Sequence, residues 1–186
     1  FVGRLVETKG VLDLLSAFAV VRSLGVDAEL DLVGAGPLEH AVREHARTGE
    51  QRERIRVHGA LPHDAALEAI AAADALVLPS YGEGSPLVVA EALSLGTPVI
   101  GTRVGAIPDV LGADGLLVEP GDVDSLATCM ERLATSQGLW KRLSEAGRAT
   151  AAARLGWDTI AESTVDFYRA AMDSGAAGAG EVARHG

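Results

Sequence analysis

A single cysteine, Cys129, stands in the 186-residue sequence, so neither an internal disulfide nor a cysteine-based zinc site can form. It falls in a helical pattern, where a small buried thiol is expected, and a reducing cytoplasm suits such a chain. Positive charge is also scarce, with 16 Lys and Arg against 26 Asp and Glu and a formal net charge of −10. Most of that surface repels phosphate backbones and anionic lipid, which argues against an extended nucleic-acid footprint or a polybasic membrane patch. Any phosphate-bearing ligand must therefore be held locally. No apolar run approaches the roughly 18–20 residues of a membrane-spanning helix, and no signal-peptide pattern opens the chain. Five histidines, His40, His45, His58, His63 and His185, show no His-x-x-x-His spacing beside an acid, so a zinc site has no support. Of these, His58 is expected nearest to a ligand edge, with a packed or capping role as its alternative. Internal repeats and charge blocks are absent as well.

What is present is a 48% hydrophobic composition, enough to bury a sizeable core in a domain of this length. Apolar runs of strand length recur at Ala28–Val33, Ile55–His58, Ala75–Leu78, Pro98–Gly101 and Gly115–Val118. Helical patterns lie between them, roughly over 10–24, 37–48, 63–73, 86–95 and 105–111. This alternation predicts right-handed crossovers and a doubly wound α/β domain. Its parallel sheet is expected to hold about six strands, counting Phe1–Gly3. After Glu119 only helices are expected, roughly over 122–135, 137–153 and 157–173. The domain is thus placed at 1–173, with a flexible tail at 174–186. Phe1-Val2-Gly3-Arg4-Leu5 reads as the end of a buried strand running into a loop. A fragment whose partner domain lies upstream is the expectation.

In parallel sheets ligands bind outside the carboxyl ends of the strands, which directs attention to the loops there. Gly3-Arg4-Leu5-Val6-Glu7-Thr8-Lys9-Gly10 carries two cations around a turn, with Lys9 near a helix start. Together they suit a diphosphate, although solvated cations on a loop would look the same. Gly34-Ala35-Gly36-Pro37 resembles a dinucleotide fingerprint but has Glu39 where the third glycine belongs, and it reads instead as a tight turn. In Ser80-Tyr81-Gly82-Glu83-Gly84-Ser85-Pro86 the glycines leave backbone amides open to a ligand, Pro86 starts a helix, and Gly96 ends it. Glu91 lies within that helix and leans back toward Glu83. Two carboxylates at one end suit sugar and ribose hydroxyls, the alternative being a solvated loop acid and an exposed helical acid. Asp122-Val123-Asp124 matches a metal-binding Asp-x-Asp but directly precedes a helix, where a cap and a first-turn acid are expected.

These motifs together resemble the C-terminal, Rossmann-like domain of two-domain GT-B glycosyltransferases of family 4, group 1. The resemblance runs from Gly3-Arg4-Leu5 and Lys9-Gly10 through Gly34-x-Gly36-Pro37, Val57-x-Gly59 and Pro79-Ser80. It continues through Glu83-Gly84-x-Pro86, Glu91-Ala92, Gly96-Thr97-Pro98 and Pro120-Gly121-Asp122. It implies retaining transfer of a sugar from a nucleoside-diphosphate donor such as a UDP- or GDP-sugar. The chemistry implied needs no metal and no cofactor.

Arg4 and Lys9 match the positions that neutralise the diphosphate, with Gly3 beside them. Glu83 and Glu91 match the family's two glutamates, on the transferred sugar and on the ribose. Gly84, Ser85, Pro86 and Leu87 match the surrounding donor contacts, and Val57–Leu61 the stretch that recognises the base. Arg4, Lys9 and Glu83 are thereby implied as catalytic, and the acceptor site is implied on the N-terminal domain. Departures are Gly105-Ala106-Ile107-Pro108-Asp109, where Gly-Gly-x-Pro-Glu is common, and Ser85, where an aromatic is frequent. A sugar-phosphate synthase of the same fold and a nucleotide-binding module without turnover are the competing expectations. A GT-B epimerase is disfavoured by the family 4 pieces.

Overall fold

The computed structural model describes residues 1–48, 53–84, 86–112 and 115–154. Strands β1 (Leu30–Val33), β2 (Ile55–Gly59), β3 (Leu76–Leu78), β4 (Val99–Thr102) and β5 (Leu116–Val118) alternate with helices. The helices are α1 (Val11–Ser23), α2 (Glu39–Thr48), α3 (His63–Ala72), α4 (Leu87–Leu95), α5 (Ile107–Leu111), α6 (Val123–Thr135) and α7 (Gln137–Arg154). All pairings are parallel, and β1 joins β2 while β4 lies between β3 and β5. The α/β class with parallel strands is therefore as expected, but among the described residues the strands pair as two sheets, β1-β2 and β3-β4-β5, where a single sheet was expected. The sixth strand is not as expected either. Val2 makes one parallel bridge to Val33, because only the Phe1 carbonyl and the Gly3 amide join Val33 before the chain turns away. The expected helix over 157–173 and the tail over 174–186 lie outside the described residues.

The middle strands form because their apolar residues are continuous rather than alternating, as burial on both faces requires. Every residue of β3 and β4 is buried. In α1 the buried positions Val11, Leu14, Leu15, Phe18 and Val21 fall on one stripe, which packs on α6. Helix α4 buries Val89, Ala92 and Leu93 and packs against α3, α5 and α7. Each fully buried Leu or Phe of this core contributes roughly 1.5–3 kcal/mol. Gly96 ends α4 in the left-handed conformation, and the Thr97 amide donates back to the Ala92 carbonyl. At the start of α6 the Asp122 carboxylate accepts the Ser125 amide at 3.0 Å, and the Ser125 hydroxyl together with that amide holds this carboxyl below its ordinary pKa. Asp124 sits in the same first turn. The Asp122-Val123-Asp124 motif is thus built as a helix start. Cys129 is half-buried in α6, and burial raises its thiol pKa. No helix among the described residues is long and apolar enough to cross a membrane.

Candidate functional site

Because the strands run parallel, the loops that follow them gather at one edge. The segment from Gly3 to Gly10 is the seam of that edge. On one side the Leu5 amide donates to the Ala35 carbonyl and the Leu38 amide to the Leu5 carbonyl. On the other the Tyr81 amide donates to the Thr8 carbonyl. Gly34, at φ 139°, lies so close that a Cβ there would stand 1.8 Å from the Gly3 carbonyl oxygen. One at Gly36 would stand 2.4 Å from the Leu5 oxygen. Gly34-Ala35-Gly36-Pro37 is therefore a packing turn, and α2 begins only at Glu39.

The seam brings Lys9 and Glu83 together across 74 positions of sequence. Lys9 closes a short 3-10 turn, Glu7–Lys9, rather than opening α1. Its ammonium donates to Oε1 of Glu83, whose side chain is only 8% exposed. The same oxygen accepts the Ser80 hydroxyl at 2.9 Å. Ser80 is fully buried, and its carbonyl accepts the Thr102 hydroxyl at 2.5 Å from the end of β4. Behind Glu83, Gly105 at φ 50° abuts the Glu83 carbonyl, where an added Cβ would collide at 1.6 Å. The side chain of Arg4, on the same loop as Lys9, is exposed and has no hydrogen-bond or ion-pair partner among the described residues. This loop thus presents, among the described residues, a cation without a partner and one that a carboxylate already occupies.

Glu91, one-third exposed in α4, lies 3.8 Å from Nδ1 of His63 at the start of α3. The carboxylates Glu83 and Glu91 therefore have separate partners. His58, expected nearest the ligand edge, instead meets the Asp31 carboxylate at 2.6 Å on the exposed face of β1 and β2. Side chains alternate along a strand, and this register turns it to that face. Along Val57–Leu61, Arg43 of α2 donates to the Val57 carbonyl at 2.8 Å and pairs with Glu39 at 2.8 Å. Pro86 is buried, Leu87 is 69% exposed, and Gly84 is exposed. Gly3 is half-buried, while Ser85 lies outside the described residues. Gly82 and Gly84 meet nothing within 4 Å of an added Cβ, so they face open space. Beside them Tyr81 donates to the Asp13 carboxylate at 2.7 Å, a bond that raises the phenol pKa.

The sequence reading named Ser80, Gly105 and His63 without these contacts and missed Thr102 and Arg43 altogether. Ser80 carried the one available signal, a hydroxyl three residues before Glu83. The arrangement can hold an anion on Arg4 and Lys9 beside a buried carboxylate that accepts hydrogen bonds.

The family model described as Glycosyl transferases group 1 matches residues 1–136. The MMP alpha-(1->4)-mannosyltransferase of Mycolicibacterium hassiacum is 35% identical over 174 residues, covering 90% of this chain and 41% of that protein. Sucrose-phosphate synthase from Thermosynechococcus elongatus superposes with a TM-score of 0.75 at 29% identity, over 92% of this chain and 44% of its own. The C-terminal domain of LpcC, a glycosyl transferase group 1 family protein from Francisella tularensis, gives a TM-score of 0.76 at 23% identity. There 83% of this chain covers 84% of that one, a likeness of fold. The chain spans about two fifths of the length of the curated relatives it matches.

Proposed function

The chain belongs to the group 1 glycosyl transferases, and from that premise we propose that it is the donor-binding half of a retaining glycosyltransferase. The reaction moves a sugar from a nucleoside-diphosphate sugar to an acceptor held by a second domain. Arg4 and Lys9 bind the diphosphate, Glu83 the hydroxyls of the transferred sugar, and Glu91 the ribose. Gly3, Gly84, Ser85, Pro86 and Leu87 line the donor. As the bond to the anomeric carbon breaks, negative charge develops on the diphosphate. The two cations of this loop supply the electrostatic stabilisation the step needs, without a metal. Cytoplasmic operation is supported by the lone thiol and the acidic surface.

The observation that carries this reading is the meeting of Lys9 with the nearly buried Glu83 at the carboxyl edge of the strands, on the loop that also bears the unpartnered Arg4. Calorimetric titration of UDP and GDP, with chelator present, tests it. Binding in the micromolar to millimolar range is expected, about −8 to −4 kcal/mol. Strict dependence on Mg²⁺ or Mn²⁺ overturns the metal-free site. A sugar-phosphate synthase is the second reading, favoured by the 29% identity to sucrose-phosphate synthase. The two readings share the donor and separate on whether a sugar phosphate serves as acceptor.

A further inference from the structure

Resting on the donor-site reading above, we infer that Ser80 is a positioning residue that holds Glu83 as a resident anion on Lys9, so that a diphosphate enters by displacing a carboxylate from the ammonium. The Ser80 hydroxyl is fully buried and donates to Oε1 of Glu83. Thr102 fixes the Ser80 backbone from β4. Lys9 donates to that same Oε1, and the Glu83 side chain is 8% exposed. A carboxylate so far removed from water needs hydrogen-bond partners to replace the water it has lost. Lys9 supplies a cation, Ser80 a single donor.

A ligand with phosphates alone takes Lys9 and leaves Glu83 buried with one hydroxyl for company. A nucleotide sugar brings hydroxyls that replace the lost ammonium. The pair therefore discriminates against the bare diphosphate and favours the complete donor, which makes Glu83 and Ser80 determinants of specificity as well as of placement. Arg4, whose exposed side chain has no partner among the described residues, is a cation available for first encounter.

The test is calorimetric titration of inorganic pyrophosphate and UDP, at pH 7 and low salt, into the wild-type chain and the variants Glu83→Gln, Ser80→Ala, Ser80→Thr and Lys9→Ala. Melting curves establish that each variant is folded. Glu83→Gln is expected to bind both probes about three- to tenfold more tightly. Ser80→Ala shifts in the opposite direction and weakens both probes, because Glu83 then has no donor once Lys9 is taken, and Ser80→Thr, which keeps the hydroxyl, restores the wild-type value. The gain vanishes when Lys9→Ala is combined with Glu83→Gln. A folded Glu83→Gln that binds pyrophosphate and UDP no more tightly than wild type overturns the inference, even where Lys9→Ala weakens both and the donor site stands. If Lys9→Ala leaves both probes unaffected, or if neither probe binds at millimolar concentration, the donor-site reading falls and this inference with it.

Discussion

Two glycine-rich loops leave the carboxyl edge of the strands, and they use glycine for opposite ends. In the turn after β1, an added Cβ at Gly34 or Gly36 would strike the backbone of Gly3 or Leu5 at 1.8 and 2.4 Å. In the loop after β3, Gly82 and Gly84 have nothing within 4 Å. The first loop is closed against its own chain, and its glycines are there for the fold. The second is held at Tyr81 and Glu83 and leaves the glycines on either side of Glu83 open, as a loop that receives a ligand does. Glycine content alone does not tell a cradle from a packing turn. What separates them is whether the space beside the missing Cβ is already occupied.

The largest effect should come from closing that contrast. Gly34→Ala forces a side chain into a left-handed conformation at φ 139° and against the Gly3 carbonyl. A loss of about 3 kcal/mol or more is expected in urea denaturation. Gly84→Ala should lie within about 0.5 kcal/mol of wild type by the same measurement. Equal stability losses at the two positions would remove the distinction between the loops.

Next in size is Arg4→Ala. Arg4 is exposed and unpartnered among the described residues, so its loss should leave the melting temperature unchanged. If it binds the diphosphate, titration of UDP should show roughly a ten- to hundredfold weakening, the equivalent of a charge-assisted hydrogen bond. Uridine, which lacks phosphates, should bind nearly as before. Parallel loss of uridine and UDP would show that the seam loop shapes the whole pocket instead of supplying a charge.

Much of the frame was legible because the code for it is local. The runs Ala75–Leu78 and Pro98–Gly101 read as strands because a strand buried on both faces has no polar side to show, and β3 and β4 form there. Gly96 and Asp122 marked helix ends through chemistry that acts within a few residues. The expected sixth strand failed because its pairing to β1 is a single bridge at Val2. In the site, Arg4, Lys9, Glu83 and Glu91 were singled out by residue type and loop position. Their partners were not. Lys9 meets Glu83 from 74 positions away, and Thr102 meets Ser80 from 22, contacts that the packing of loops decides and no short motif records. The same limit hid the contact at Gly105, whose requirement for glycine comes from the Glu83 carbonyl beside it.

A smaller effect is expected where the open loop meets its ligand. Gly84→Ala adds one methyl to the space beside Glu83. With stability unchanged, the affinity for a nucleotide sugar should fall several-fold while that for UDP changes less, because the methyl intrudes on the sugar end of the proposed donor. Competition titration of the two ligands measures the ratio. An unchanged ratio would mean that Gly84 faces solvent in the complex too.

The smallest effect sharpens the comparison from a third loop, the one after β5, which is closed by a side chain instead of by backbone contact. Asp122 accepts the Ser125 amide at the start of α6, and the Ser125 hydroxyl together with that amide holds its carboxyl pKa below the ordinary value. A carboxyl whose folded pKa is depressed binds its proton more readily in the unfolded chain. Its contribution to stability is therefore fully present above the unfolded pKa, near 3.9, and is lost as pH falls through the folded value. Asp122→Ala should accordingly lower the melting temperature slightly at pH 7, and the gap to wild type should narrow steadily below about pH 4. The Ser125 hydroxyl shares in holding that carboxyl with the Ser125 backbone amide, so Ser125→Ala should show part of the same narrowing, the amide keeping the rest. Affinity for UDP should be the same in both variants as in wild type. A gap of constant size from pH 7 down to pH 3 would mean that the carboxylate charge is not what closes this loop. A loss of UDP affinity in Asp122→Ala would move the third loop from the closed class to the open one.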